Sequence, residues 1–342
     1  MKKQKLIFLL GNGFSQGFGF PGMSELWDKC LVPEDDYYKN ALEEAKSRYP
    51  LAYFVDKGIK EMELALTVWK TYYESHEEDI LSNAAKSGRG NFEDYIENMC
   101  AWLHQYTIKN GQQDLYGEIK LWLKEMADKY EVAFITTNYD LLIERIISDN
   151  SQKYHYLERT EAGSIPIRKI HGSISWFSSS QGILRPDDRS KCSIFFKGAE
   201  KDSGVYNLTE DVLSSPTMAG FHIQLGSQVT QTNVTPITTI IPPVVGKKYN
   251  ELFGFIMQAI EQDFVDFDYL VMIGYSFPEA DPIVKENIVD FCNRYKVKEG
   301  KIIAINNNQN DCDKIGELFG ENIQVVCEKW SVALLRNLLI SR

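Results

Sequence analysis

Short, continuous apolar runs recur along the chain, and longer stretches with apolar residues every three or four positions lie between them. The runs Leu6-Ile7-Phe8-Leu9-Leu10, Val132-Ala133-Phe134-Ile135-Thr136 and Tyr269-Leu270-Val271-Met272-Ile273 read as buried strands. Segments 165–170, 174–177, 237–241, 301–306 and 323–327 read as further strands. The spacing predicts three or four helices between about 34 and 130, with a break at Ser87–Asn91 where Asn91 would cap the next helix. It also predicts helices after Asp140 through Ile147, at 249–265, at 281–295, after Asn308 and at the C-terminal end.

Strands that are apolar throughout and alternate with helices form a parallel sheet covered on both faces. The expected fold class is α/β: a Rossmann-like, doubly wound parallel sheet with a large helical insertion or subdomain. The core would comprise about 1–33, 131–178 and 237–342, and the helical subdomain about 34–130. Residues 179–236 are rich in Ser, Thr, Gly and Asn, and read as an irregular insertion, a lid or an ornate surface loop. In such sheets ligands sit at the carboxyl ends of the strands. Gly11, Asn12, Gly13, Asn138, Asp140, Gly274, Ser276 and Asn306 all fall at those ends, which points to a nucleotide site.

Charge and cysteine content narrow the function classes. The 342 residues carry a formal charge of -11, which argues against direct nucleic-acid binding. The six cysteines form no C-x-x-C pair, so no zinc site is expected. The basic start Met1–Lys5 leads into only five apolar residues, too few for a signal-peptide core. No apolar stretch approaches the roughly 18 residues of a membrane span, and a cytoplasmic location is expected.

Each strand-end motif has two readings. Gly11-Asn12-Gly13-Phe14-Ser15 follows a strand; glycines there allow close backbone approach to a phosphate, or form a tight structural turn. In Thr136-Thr137-Asn138-Tyr139-Asp140, Asn138 and Asp140 either cap a helix or orient a water or ribose hydroxyl. His171, in Lys169-Ile170-His171-Gly172-Ser173, is a structural histidine or a general base.

Taken in order, these motifs resemble the sirtuins. Gly11-Asn12-Gly13-Phe14-Ser15 with Gly19-Phe20-Pro21 resembles the opening G-A-G-x-S and G-I-P. Thr136–Asp140 resembles T-Q-N-I-D, Ile170-His171-Gly172 the H-G motif, Gly274-Tyr275-Ser276 the G-T-S motif and Ile305-Asn306 the late I-N. The wording T-T-N-Y-D, I-H-G-S and G-Y-S-F is similar to the bacterial SIR2-like branch of anti-phage defence systems. The resemblance implies NAD as substrate. Asn138, His171 and Asp140 would be catalytic, and Gly11, Asn12, Gly13, Phe14, Ser15, Thr137, Gly274, Ser276, Asn306 and Asn307 would bind the dinucleotide.

Two departures matter. Gly22, Met23 and Ser24 stand where sirtuin deacylases carry D-F-R, and only Cys192 lies between His171 and Cys292, so the four-cysteine zinc module of the acyl-lysine cleft cannot be built. The expectation is therefore an NAD+ glycohydrolase that releases nicotinamide and ADP-ribose. The alternatives are ADP-ribosyl transfer, protein deacylation, or a non-catalytic NAD- or ADP-ribose-binding module. The family also implies a homo-oligomer or a partner protein from the same operon.

Overall fold

The computed structural model describes residues 3–22, 67, 103, 113–157, 162–179, 205–207, 236–242, 244, 247, 249, 251–295 and 301–340. The Ser87–Asn91 break, Met23, Ser24, and most of the predicted helical subdomain and of the 179–236 insertion lie outside those residues.

The central element is β1 (Gln4–Leu10), which pairs in parallel with β2 (Tyr130–Thr136) on one side and β8 (Tyr269–Ile273) on the other. Leu6 to Leu10 are at most 1% exposed, as a strand covered on both faces must be. Phe8 stacks on Phe134 at 5.3 Å and meets Trp122 edge-on at 5.5 Å. Trp122 comes from helix α2 (Gln113–Lys129), the part of the expected helical block that is described.

β4 (Ile165–Lys169), β9 (Lys301–Asn306), β10 (Ile323–Cys327) and a two-residue edge strand β3 (Tyr154–His155) complete a seven-stranded sheet. Its order is β10-β9-β8-β1-β2-β4-β3, and every pairing is parallel. Without β3, this is the doubly wound order of Rossmann-like folds. The chain crosses from one half of the sheet to the other between β1 and β8, and a crevice opens there. The expected α/β fold is the one observed.

Helices α1 (Asn12–Gln16), α3 (Leu142–Asp149), α4 (Glu251–Phe264), α5 (Pro282–Arg294), α6 (Gln309–Phe319) and α7 (Val332–Ile340) connect and cover the strands. A second sheet has the order β6-β5-β7, built from β5 (Gly172–Ser179), β6 (Val205–Asn207) and β7 (Pro236–Ile240), and is antiparallel. β6 falls inside the stretch read as irregular. Three residues are too few to show periodicity, and their pairing comes from across the chain. His171 accepts from Ile241 N–H at 2.8 Å through its carbonyl, which ties the small sheet to the end of β4.

Candidate active site at the sheet switch point

Three glycines bring the β1 and β8 turns into contact. A Cβ on Gly11 would lie 2.3 Å from the Gly274 carbonyl oxygen, and one on Gly274 would lie 2.4 Å from Gly13 Cα. Gly274 also has φ +61°, where an L side chain is strained. The Gly11 and Gly13 N–H groups donate to the Ile273 and Gly274 carbonyls at 3.0 and 3.1 Å. Both donors are therefore held by the fold, and what these glycines supply here is the close approach itself.

This contact separates two cavities. The first is a cleft open to solvent, of about 840 Å³ including its mouth, and is lined in part by Asn12, Thr137, Asn138, Asp140, His171, Lys247, Gly274, Ser276 and Asp281. The second, about 610 Å³, is lined by Gly13, Gly274, Asn306, Asn307, Glu328, Lys329 and Trp330 among others. Most of the residues expected to bind or act are thus gathered around one crevice. Gly11, Phe14 and Ser15 are not on either wall. Phe14 is buried and stacks on Trp330 at 5.0 Å, and Ser15 sits beneath the cavity floor at 1% exposure.

The first cavity rests on a chain of directed hydrogen bonds. Asn138 Nδ2 donates to the Gly11 carbonyl at 2.9 Å and to Ser15 Oγ at 3.0 Å. The Gly11 carbonyl is acceptor-only, so it fixes which end of the amide faces it. Both amide protons are used by the fold, and Oδ1 is left as the acceptor that Asn138 offers to a ligand. Ser15 Oγ in turn donates to Asp140 Oδ2 at 2.7 Å, and Asp140 Oδ1 accepts from Leu142 N–H at 3.0 Å. Asp140 thus both caps the start of α3 and holds Ser15. The expected capping role of Asp140 is therefore present, together with a hydrogen bond to Ser15 that the sequence did not suggest.

Beneath Asp140 lies a buried ion pair. Lys169 and Glu144 are each 1% exposed in their side chains, 3.0 Å apart, and Lys169 Nζ also donates to the Asp140 carbonyl. Breaking such a pair by removing one partner costs about 3–5 kcal/mol. Lys169 thereby fixes the end of β4 against the Asn138–Asp140 turn.

His171 stands on the opposite wall, 4% exposed. Its Nε2 is 3.2 Å from Asp281 Oδ1 but too poorly aligned for a hydrogen bond, so this buried nitrogen lacks a hydrogen-bonding partner. Burial pushes the imidazole below its ordinary 6.5, and Lys247 adds to that, while Asp281 and a Thr137 backbone hydrogen bond oppose it. The ring is therefore neutral near pH 7. With the Thr137 backbone taking the proton of one ring nitrogen, Nε2 carries the lone pair.

Asp281 also pairs with Lys247, and the two side chains are 3% and 2% exposed. Burial pushes the Asp281 carboxyl up, the Lys247 ammonium beside it pulls it down, and the net direction is below its usual range. Sequence reasoning missed both residues. Asp281 before Pro282 reads as an ordinary helix cap, and Lys247-Lys248 reads as a solvated surface pair. The signal that could have found Asp281 is its position seven residues beyond Gly274, at the far end of a β8 turn that already carried Ser276.

The second cavity is built differently. Asn306 Oδ1 accepts from Asn308 N–H at 3.0 Å, and the Asn308 side chain caps α6. Trp330 Nε1 donates to the Gly13 carbonyl at 3.1 Å. Asn307, Glu328 and Lys329 are exposed.

Residues 132–218 match the SIR2-like domain family. No curated protein matches the chain. The match covers roughly a quarter of the sequence and includes Thr137, Asn138, Asp140 and His171. It supports the SIR2-like family, and with it NAD-dependent enzyme chemistry. The glycine turn, Lys247 and Asp281 lie outside the matched residues. Among the described residues, no three or more His, Cys, Asp or Glu side chains are grouped so as to hold a metal ion, and no helix is long and apolar enough to cross a membrane.

Proposed function

We propose that the protein is an NAD+ hydrolase that cleaves the nicotinamide–ribose bond and releases nicotinamide and ADP-ribose. The observation that carries this reading is the pairing, across one cavity, of a neutral His171 whose Nε2 lacks a hydrogen bond with an Asn138 whose Oδ1 is left to a ligand. The dinucleotide would span the Gly13–Gly274 contact, with its nicotinamide ribose in the first cavity and its adenosine half in the second.

The bond to be broken joins C1′ to a cationic nitrogen. Its electron pair leaves with the ring, so nicotinamide departs neutral and needs no proton. Positive charge develops on the sugar, as in glycoside hydrolysis. Asn138 Oδ1 is a fixed partial negative charge in a low-dielectric site, where such groups act most strongly. Water then adds to C1′ and loses a proton, which His171 Nε2 accepts directly or through a ribose hydroxyl. Asp140 has both oxygens engaged and acts through Ser15 and Asn138, as a positioning residue. Helix α3 keeps that carboxylate in place.

The setting implied by the family is a bacterial anti-phage defence system. NAD depletion harms the host cell, so such an enzyme would be restrained until a partner protein or self-assembly releases it. Purified protein, alone and with the products of neighbouring genes, is incubated with NAD while nicotinamide is followed. Release that is lost in His171→Ala supports the reading. Label from NAD appearing on a protein band, in place of free ADP-ribose, would establish transfer instead.

A further inference from the structure

Asp281 occupies the residue before Pro282, where an aspartate ordinarily caps its own helix. Here it does not: α5 receives no side-chain cap hydrogen bond. A missing cap of this kind is destabilising. The carboxylate turns instead into the first cavity, toward His171 and Lys247. The turn that delivers it has two left-handed residues, Gly274 at φ +61° and the buried Phe277 at φ +50°. A non-glycine residue in that region is strained and is held there only by its surroundings.

Three of the groups that line this cavity are acceptors. His171 Nε2 carries a lone pair, Asp281 is a carboxylate and Asn138 Oδ1 is a carbonyl. Lys247 is the single cation among the described lining residues, and Asp281 already engages it. A phosphate would meet repulsion here. The wall requires a group rich in donors, with two donors close together, because Nε2 and Asp281 Oδ1 are only 3.2 Å apart. Neighbouring hydroxyls on one furanose ring meet that requirement. A carboxylate that reads ribose hydroxyls is a known solution in doubly wound folds, though it is placed elsewhere in them.

We propose that Asp281 and His171 Nε2 together form the receptor for the vicinal diol of the ribose that enters the first cavity. One hydroxyl donates to Nε2 and its neighbour donates to Asp281. Lys247 holds the carboxylate in position and ionised. This rests on the NAD-cleavage reading for the identity of the ribose, and deepens it by assigning the residue that selects the sugar.

Calorimetry with ADP-ribose, and with analogues lacking either the 2′ or the 3′ hydroxyl of the distal ribose, tests it without turnover. The wild-type protein should prefer the full diol by about ten- to a hundredfold, the value of one charge-assisted hydrogen bond. Asp281→Asn and Asp281→Ala should bring one of the two deoxy analogues to within about threefold of ADP-ribose, because Asp281 receives one hydroxyl while His171 Nε2 still receives the other. Removing Asp281 leaves Lys247 buried and unpaired, so Asp281→Asn/Lys247→Met serves as a second variant if melting shows the single ones unfolded. It should lose the preference too. Folded variants that retain the wild-type preference overturn the proposal, as does a wild-type protein that binds the deoxy analogues equally well. Nicotinamide release separates the two readings. A diol preference lost in the variants, together with no NAD cleavage under any condition, sinks the hydrolase assignment and keeps the receptor. Cleavage with the preference intact in the Asp281 variants sinks the receptor alone. Failure of the wild-type protein to bind any of the nucleotides sinks both.

Discussion

The two cavities on either side of the Gly13–Gly274 contact are made of different chemistry. The first holds His171, Asp281 and Lys247, each at most 9% exposed, and is floored by Ser15, Asp140, Lys169 and Glu144. The second is edged by exposed Asn307, Glu328 and Lys329, and among its described lining residues the buried Asn306 serves the local turn before α6. Buried, mutually paired charges are costly to assemble, and a fold retains them where something must be held in a fixed state. Exposed amides and charges cost little. Under the proposed function, the contrast would place the chemistry in the first cavity and binding in the second.

The sharpest way to break this contrast is at His171. Replacing it with Ala should lower the turnover of NAD by about 10²–10⁴-fold, the usual contribution of a general base, with KM changed far less. Steady-state nicotinamide release measures both. Next comes the contact that divides the cavities. Gly274→Ala places a methyl group against the Gly13 backbone at a positive φ and should cost about 3 kcal/mol of stability in denaturant unfolding. A loss under 1 kcal/mol would mean that the two turns can separate freely. In the second cavity, Asn306→Ala should raise KM for NAD by about tenfold or less, roughly 1 kcal/mol, and leave kcat unchanged. A fall in kcat as large as that of His171→Ala would erase the division of labour.

The smallest expected effect concerns pH. Burial depresses the His171 pKa below 6.5, so the unfolded chain takes up the proton first as pH falls. The stability that comes from keeping the ring neutral is whole above about pH 6.5 and is lost as pH drops through the folded-state value. Wild type should therefore lose about 1 kcal/mol more than His171→Gln between about pH 7.5 and pH 5.5. Equal losses would place the ring in water.

Much of this was legible in the sequence because parallel strands leave a strong mark. Tyr269–Ile273 and Lys301–Asn306 are observed at the bounds their apolar runs predict. The strand-end positions of Asn138 and His171 followed in the same way from the runs 132–136 and 165–170. What stayed hidden depends on long-range pairing. Tyr154–His155 and Val205–Asn207 are too short to carry a period, and gain their strand character only from partners. Asp281 was hidden for a different reason. Its local context, just before a helix-starting proline, has a sufficient explanation in capping, and only the cavity shows that the side chain turned the other way. Likewise Lys247 becomes a wall residue only when a carboxylate 34 positions later reaches it.

The central claim is that Asn138 and His171 face one cavity in order to cleave NAD. The most direct test follows nicotinamide release by the assembled, activated wild-type protein and by Asn138→Ala, with folding checked by melting. The wild type is expected to give nicotinamide and ADP-ribose, and the variant a rate at least about 100-fold lower. Equal release by the two proteins, or none from the wild type, would contradict it.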